Sequence, residues 1–171
     1  MPATPDDLFA FLDRLGIAHP TITHPPVFTV EEAKRLRGAI AGGHTKNLFL
    51  KDKRDAVFLV VALEHAAIDL KTLHHRLGAA RFSFGAADLM RELIGVEPGA
   101  VTPFGVINDT GARVTVVLDA AMMAHATLNY HPLVNTMTTA IGREDLVTFL
   151  RATGHEPRIV AVGDEAGAPA P

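Results

Sequence analysis

The sequence contains no cysteine and a single serine, Ser83, among its 171 residues. Without cysteine the chain can form neither a disulfide framework nor a thiolate nucleophile or thiolate metal site. Ser83 lies in Phe82-Ser83-Phe84 and lacks the flanking glycines of a nucleophile elbow, so this pattern predicts an alternating apolar strand instead. A Ser-His-Asp hydrolase is therefore disfavoured.

Long apolar runs and targeting signals are also missing. No apolar segment approaches the ~20 residues that a membrane-spanning helix requires. The N-terminus, Met-Pro-Ala-Thr-Pro-Asp-Asp, has neither the basic nor the apolar region of a signal peptide. Together with the lack of cysteine, these features lead us to expect a cytoplasmic protein with no membrane partner.

Motifs for nucleotides and metals are absent as well. No Gly-x-x-x-x-Gly-Lys-Ser/Thr sequence occurs, and Gly42-Gly43 lacks the rest of a dinucleotide fingerprint. Nine histidines include the adjacent His74 and His75, but neighbouring helical positions diverge by about 100° and no His-Glu-x-x-His spacing exists. We therefore expect no metal site and no cofactor.

Length and composition indicate one soluble domain. With 48% apolar and 20% charged residues, a chain of this length can bury roughly 70% of the surface that it would expose when unfolded. No internal repeat or linker is visible. We expect a domain over residues 1–163 and a flexible tail of small residues over 164–171.

The order of helix and strand signals predicts the fold class. Thr4-Pro5-Asp6-Asp7 has the features of a helix start, and Leu8, Leu12 and Leu15 follow at helical spacing up to Gly16. Further helices are predicted at Thr29–Gly38, Asp69–Leu77, Ala86–Ile94 and Arg143–Ala152. Strands or short extended segments are predicted at His19–His24, Thr45–Leu50, Ala56–Leu63, Arg81–Phe84, Phe104–Ile107, Val114–Leu118, Thr127–Tyr130, Thr136–Ala140 and Ile159–Val162.

These elements predict an α+β single domain. Its mixed, mostly antiparallel sheet would curl toward a barrel with helices around it. Thr45–Leu50 and Ala56–Leu63 would form a hairpin, and the unbroken apolar run in the second strand predicts a central position covered on both faces. The segment Gly95–Pro103 is too rich in glycine and proline to be regular.

Charge is distributed unevenly along the chain. The net charge is −3, from 16 basic and 19 acidic residues, yet the window Lys34–Arg54 holds seven basic residues against one acid, Asp52. A compact basic region on an otherwise acidic protein can attract a phosphate backbone locally. The alternative interpretation is an ordinary solvated face.

The basic window contains Gly-Gly-His-Thr-Lys-Asn, residues 42–47, directly before the apolar Leu48-Phe49-Leu50. We expect these polar residues to lie where a loop enters a sheet, a common place for binding residues. With the other chemistries disfavoured, a site of one lysine, backbone amides in glycine loops and a histidine remains. Such a site suits an anionic substrate whose carbonyl or phosphate must be held.

Three segments in order resemble the YbaK/ProX aminoacyl-tRNA deacylase family, most closely its free-standing alanyl-tRNA(Pro) deacylases. They are Gly43–Leu50 with Lys51-Asp52-Lys53, the loop Gly99–Pro103 with Phe104-Gly105, and Asn129-Tyr130-His131-Pro132. The resemblance runs from the first helix to about Val162.

The resemblance implies an enzyme that hydrolyses the ester joining alanine to the terminal adenosine of tRNA(Pro), a product of prolyl-tRNA synthetase error. A synthetase pocket sized for proline cannot strongly reject a smaller side chain, because missing methylenes forfeit only about 1–3 kcal/mol. The implied partners are the acceptor end of tRNA(Pro) carrying alanine and prolyl-tRNA synthetase, on which the protein would dock. In this family the ribose 2′-hydroxyl of the substrate helps to activate water, which fits the lack of an obvious side-chain base.

The resemblance also assigns roles to residues. Lys46 would hold the terminal phosphate or carbonyl as a cation, and Asn47 would assist through its amide. Gly99 and Pro103 match a Gly-x-x-x-Pro loop whose backbone would orient the ester and the water, with three intervening residues in contact with substrate: Ala100, Val101 and Thr102.

The remaining roles concern specificity. His131 matches a pocket histidine that limits the space for the aminoacyl side chain, and Lys51 and Arg81 would contact the acceptor stem. Without the family, the same residues could be a solvated lysine, a turn-capping asparagine, a simple turn and a structural histidine. Two other functions stay open: a cysteinyl-tRNA(Pro) deacylase and a non-catalytic tRNA-binding module.

Overall fold

The structure is a computed structural model that describes residues 1–26, 35 and 40–163. Its helices, numbered in chain order within these residues, are α1 Pro5–Arg14, α2 Leu70–Leu77, α3 Ala87–Ile94 and α4 Arg143–Ala152. Its strands are β1 Thr21–Thr23, β2 Gly43–Asp52, β3 Val57–Leu63, β4 Phe82–Phe84, β5 Val114–Asp119, β6 Thr127–Tyr130, β7 Met137–Gly142 and β8 Arg158–Val160. Three short 3₁₀ segments complete the described elements: Pro98–Ala100, Pro103–Asn108 and Met122–Ala124. Apart from Arg35, the helix predicted for 29–38 lies outside the described residues, as does the predicted tail 164–171.

Helix α1 begins where the sequence predicts. The Thr4 hydroxyl accepts a hydrogen bond from the Asp7 amide at 3.1 Å, and the Asp7 carboxylate accepts one from the Thr4 amide at 2.9 Å. This reciprocal pair satisfies two amides that the helix itself leaves unbonded. Leu8 and Leu12 are fully buried, so the apolar stripe faces the core.

Strands β2 and β3 form the predicted hairpin, with Thr45 opposite Leu63 and Lys51 opposite Val57. Every residue of β3 is buried, which confirms its central position. Strand β2 begins at Gly43, two residues before the predicted start. The polar residues after the glycine pair therefore belong to the strand itself and not to the loop that enters it.

The sheet has the order β1-β7-β6-β2-β3-β5-β8, and β4 pairs with β2 beside this path. Four pairings are antiparallel and three, β2 with β6, β3 with β5 and β5 with β8, are parallel. The predicted mixed, mostly antiparallel sheet is confirmed. No pairing joins β1 to β8 within residues 1–26 and 40–163, so the sheet is open and not a closed barrel.

Two apolar clusters cover the two faces of the sheet. The larger cluster includes Phe49 of β2 and Leu59 of β3 and packs on α1, α3 and α4. The smaller cluster includes Leu50 and Val60 and packs on α2. Because side chains alternate along a strand, odd-numbered residues of β2 face the larger cluster and even-numbered residues face the smaller one.

A buried carboxylate–imidazole contact joins the end of α4 to the start of β5. The Asp109 carboxylate accepts hydrogen bonds from the Arg113 and Val114 amides at 3.1 and 2.8 Å, and it lies 2.8 Å from His155 Nε2. Both side chains of this pair are 2% exposed.

The strand predicted for Phe104–Ile107 is wrong, because this segment is part of the 3₁₀ helix Pro103–Asn108. The Thr102 hydroxyl accepts a hydrogen bond from the Phe104 amide at 3.3 Å, and proline at the first position favours a helical start. A Cβ at Gly105 would lie 2.8 Å from Ile94 Cβ, so glycine permits the close packing of this helix on α3. Since the helix lies inside the core, apolar spacing could not distinguish it from a strand.

Candidate active site

One edge of β2 is shared by two strands, and neither reaches its middle. Strand β6 pairs with Gly43 and His44, whereas β4 pairs with Leu50 to Asp52. Even-numbered residues of β2 direct their main-chain groups to β3, as the His44 carbonyl shows by accepting from the Glu64 amide at 3.0 Å. Odd-numbered residues direct theirs to the other edge. Within the described residues, no strand pairs with this edge of β2 at residues 46–48, where the Asn47 N–H and C=O point, and we call this position the sheet gap.

Lys46 lies at the sheet gap on the face of the smaller cluster. Its side chain is half-buried, and Nζ donates a hydrogen bond to the Ala66 carbonyl at 2.5 Å. Ala66 belongs to the connection between β3 and α2 and packs against the smaller cluster. The ammonium thus rests on a main-chain oxygen, a neutral acceptor that an anionic or carbonyl ligand can replace.

Asn47 lies on the opposite face, beside Val61 of β3. Its Oδ1 atom is buried and has no hydrogen-bond partner in the described part of the chain. Buried polar atoms in folded proteins are nearly always bonded, and an unbonded one calls for an explanation such as a missing ligand or water. Asn47 Oδ1 is therefore a buried acceptor for which the described residues supply no donor.

Asn129 ties β6 to the entry of β2. Its Nδ2 donates to the Ala41 and Gly43 carbonyls at 3.0 and 3.2 Å, while its Oδ1 is a second buried atom without a partner among the described residues. A Cβ at Gly42 would lie 3.0 Å from this Nδ2, at a φ of +98° that favours glycine. The role of Asn129 was not predicted from the sequence, although a polar residue between the apolar Leu128 and Tyr130 is a usable signal.

His131 follows β6 directly. Extending the β2–β6 register places it level with Lys46 and on the same face of the sheet. Its Nδ1 lies 2.9 Å from the Met137 carbonyl, which can only accept, so Nδ1 carries the proton and Nε2 is the free nitrogen of the neutral ring. Burial lowers the pKa of His131, and the nearby His24, with its ring centroid at 6.2 Å, acts in the same direction.

The Gly99–Pro103 segment lies by the connection between β6 and β7. A Cβ at the exposed Gly99 would be 3.4 Å from Asn135 Nδ2, in the connection that His131 begins. Ala100, Thr102 and Pro103 are buried, and Val101 packs against the larger cluster with Ala100. This segment therefore lies on the face of Asn47, whereas the Lys46 ammonium lies on the other face.

Lys51 lies on β2 opposite β4, and Arg81 lies directly before β4. Lys51 is opposite Ser83, and its Nζ is 3.5 Å from the exposed Asp55 carboxylate. Arg81 is exposed, and its carbonyl accepts a hydrogen bond from the Lys53 amide at 3.1 Å. The two cations predicted to contact an acceptor stem thus lie next to the same short strand.

The adjacent His74 and His75 come closer than their helical positions suggested. Their ring centroids are 4.0 Å apart, although successive helical side chains diverge. Burial, followed by the neighbouring His75 and Arg81, lowers the pKa of His74. Within the described residues, no three His, Asp or Glu side chains are grouped so as to hold a metal ion.

Comparison with known proteins identifies the family. Residues 24–149 match the model of the aminoacyl-tRNA editing domain. This chain belongs to the aminoacyl-tRNA editing family. The matched region contains Lys46, the Gly99–Pro103 segment and His131, and the predicted membership in an editing family of hydrolases is confirmed.

Individual relatives agree with this assignment. The chain is 40% identical over 157 residues to "Prolyl-tRNA synthetase associated domain-containing protein 1" of Danio rerio, covering 91% of this chain and 85% of the relative. It is 37% identical over 149 residues to "Prolyl-tRNA editing protein ProX" of Acetoanaerobium sticklandii, covering 86% of this chain and 91% of that protein.

A solved structure described as a candidate trans-editing enzyme for prolyl tRNA synthetase superposes with a TM-score of 0.68 over 95% of this chain and all of its own, at 17% identity. This likeness confirms the predicted α+β editing-domain fold. In the described part of the editing domain, no helix has the length and apolar character needed to cross a bilayer.

Proposed function

We propose that this editing domain deacylates alanyl-tRNA(Pro), and that it acts in the cytoplasm as a proofreading partner of prolyl-tRNA synthetase. Water adds to the aminoacyl carbonyl carbon, the ester bond to the ribose breaks, and alanine and free tRNA leave. The observation that carries the proposal is the unbonded Asn47 Oδ1 beside Lys46 at the sheet gap of an editing-family chain. Residues 1–163 would form the catalytic domain, with 164–171 as a tail.

Lys46 and Asn47 would hold the substrate from two sides. The Lys46 ammonium would leave the Ala66 carbonyl for the terminal phosphate or the ester carbonyl, where it stabilises negative charge. Asn47 Oδ1 would accept a hydrogen bond from the α-ammonium group of the aminoacyl moiety, the donor nearest to the reacting carbon. The first contact would replace a neutral acceptor of the ammonium by one that carries or develops negative charge, and the second would satisfy a buried oxygen that has no partner among the described residues.

The Gly99–Pro103 backbone would orient the ester and the attacking water, assisted by the 2′-hydroxyl of the substrate ribose. The segment is well built for this task, since Thr102 is fully buried and its hydroxyl is bonded to the Phe104 amide. Donors held rigidly before the reaction need no reorganisation when charge develops.

His131 would limit the space for the aminoacyl side chain. Its ring is held by the Met137 carbonyl, so it cannot readily swing away from a larger group. A pyrrolidine would then meet steric repulsion from a packed wall, which discriminates more strongly than weaker attraction does. Alanine fits such a chamber and proline does not.

The test is a deacylation assay with alanyl-, cysteinyl- and prolyl-tRNA(Pro), each incubated with purified protein. Loss of the alanyl ester alone is the expected result. Preferential loss of the cysteinyl ester would reassign the substrate to cysteinyl-tRNA(Pro). Loss of none of the three, with retained tRNA binding, would replace the enzyme by a non-catalytic binding module.

A further inference from the structure

Strand β4 exposes an aromatic ring to solvent. Phe84 is 66% exposed, whereas Phe82, two residues earlier on the same face, packs edge-on against Phe58 at 5.1 Å. Among the described phenylalanines, Phe84 is the one that is largely exposed. A ring exposed in this way presents a flat aromatic face to solvent.

Exposed cationic residues lie at the start of β4, opposite the end of β2. The turn after β2 carries the exposed Lys53 and Arg54, and the exposed Arg81 precedes β4. The segment Gly78–Ala87 contains no acidic residue. In the described part of the chain, the side chains of Lys53 and Arg81 form no ion pair, so their charges are available to a ligand.

The buried Asp52 carboxylate holds these cations in place. It accepts hydrogen bonds from the Arg54, Ala56 and Ala80 amides at 2.9, 2.9 and 3.1 Å. Burial acts to raise the pKa of Asp52, but the three amide donors outweigh it and the net pKa is lowered. The carboxylate therefore stays ionised and ties the turn to the backbone before Arg81. We call Phe84 with Lys53, Arg54 and Arg81 the platform.

The composition of the platform selects its partner. Cations that follow a phosphate backbone, combined with an aromatic face, are the features by which proteins bind unpaired nucleic acid. Apart from the N-terminal Met1, the other large apolar side chains that are exposed among the described residues are Ile22 and Ile159. Both are aliphatic and offer no ring for stacking. The platform carries three cationic side chains, with the exposed Asp55 in the same turn, on a chain whose net charge is −3.

The platform also lies at a suitable distance from the sheet gap. Phe84 is opposite Leu50, on the same face as Lys46 four residues earlier along β2. Four residues of strand span about 13 Å. Stacked nucleotides rise about 3.4 Å each, so this distance corresponds to about four nucleotides.

We propose that Phe84 stacks on a base in the unpaired 3′ segment of the tRNA while Lys53, Arg54 and Arg81 bind the adjoining phosphates. This inference rests on the proposed function, because the ester at Lys46 determines which end of the RNA is bound. The proposed stacking adds an aromatic contact to the cationic contacts with the RNA. It also sets the number of unpaired nucleotides between the acceptor stem and the sheet gap.

The chain has no tryptophan, so Phe84→Trp introduces a single fluorescent reporter at the platform. Uncharged tRNA(Pro) should quench this fluorescence, and the same tRNA trimmed of its unpaired 3′ segment should not. Equal quenching by both RNAs, or by neither, would overturn the inference. Ile159→Trp, at an exposed aliphatic position on β8, is the matched control and should report no quenching.

Kinetics provide a second readout. Phe84→Ala should lower the preference for alanyl-tRNA(Pro) over alanyl-adenosine, measured as a ratio of kcat/KM values, by about tenfold. Phe84→Trp should restore the ratio, and an unchanged ratio in Phe84→Ala would refute the stacking role. If the wild-type protein hydrolyses no aminoacyl ester, the proposed function fails. Quenching by intact tRNA alone would still identify the platform.

Discussion

Replacing Asn47 with leucine should stabilise the folded protein while impairing the reaction. The Asn47 amide forms no hydrogen bond in the described structure, and its buried Oδ1 has lost water without gaining a partner. Leucine has a similar shape and no polar atom to desolvate. The substitution therefore removes a penalty from the free protein and an acceptor from the substrate complex.

The magnitude follows from the cost of an unbonded buried acceptor, about 1–3 kcal/mol. Asn47 as a whole is only half-buried, so we expect the lower end of this range, about 1 kcal/mol. For a domain of this size, that change raises Tm by about 2–4 °C. Loss of a contact at the reacting group should lower kcat/KM by about 10²-fold.

Thr45→Val is the matched control, two residues earlier on the same face of β2. The Thr45 hydroxyl donates to the Asn129 carbonyl at 2.6 Å, so its removal should destabilise by about 0.5–1.5 kcal/mol. Urea unfolding and thermal melts followed by circular dichroism give both values. A destabilisation of Asn47→Leu equal to that of Thr45→Val would refute the reasoning, since it would mean that the amide is structurally bonded.

Three further outcomes are expected. Lys46→Met should lower kcat/KM for the alanyl ester by about 10²–10³-fold with little change in Tm; wild-type turnover would remove Lys46 from the site. Since burial lowers the pKa of His131, the ring should stay neutral from pH 8 down to the ordinary pKa of histidine. The alanyl-to-prolyl rate ratio should be constant over this pH range and change only in more acidic buffer. His131→Ala should lower this ratio at every pH. Asp109→Ala should destabilise by about 3–5 kcal/mol, as measured by urea unfolding, whereas Glu156→Ala in the exposed pair with Arg151 should change stability far less. Burial acts to raise the pKa of Asp109, but hydrogen bonds from His155 and two amides lower it overall, so this stabilisation is present above about pH 4 and is lost as pH falls through the depressed value.

Local signals predicted most of the elements. The capping box at Thr4 and the Asp69 cap, whose Oδ1 accepts from the Lys71 amide at 3.0 Å, mark helix starts within one turn of chain. Helix α4 and strand β6 have the predicted bounds, Arg143–Ala152 and Thr127–Tyr130. These successes share one cause: each depends on residues that are neighbours in sequence.

The arrangement of the site was not predictable in the same way. Sequence analysis treats Lys46 and Asn47 as one cluster, yet alternation along β2 directs them to opposite faces of the sheet. The sheet gap depends on where the pairing of β6 with β2 stops and the pairing of β4 with β2 starts. Leu128 of β6 and Phe84 of β4 are 44 residues apart in the sequence. Their register against β2 is set by tertiary packing, so no short pattern contains it.

The sheet gap explains how residues on both faces can serve one ester. A complete sheet would bond the Asn47 main chain to a neighbouring strand and would separate Lys46 from the Gly99–Pro103 segment. Because β6 ends at Tyr130 and β4 pairs no earlier than Leu50, the edge of β2 is open at the position where these groups are needed. A substrate entering the gap would meet the lysine from one face and the glycine loop from the other. Phe84 lies on the lysine face, opposite Leu50 and about 13 Å along β2 from Lys46, so a substrate in the gap and an RNA strand on Phe84 would share this face.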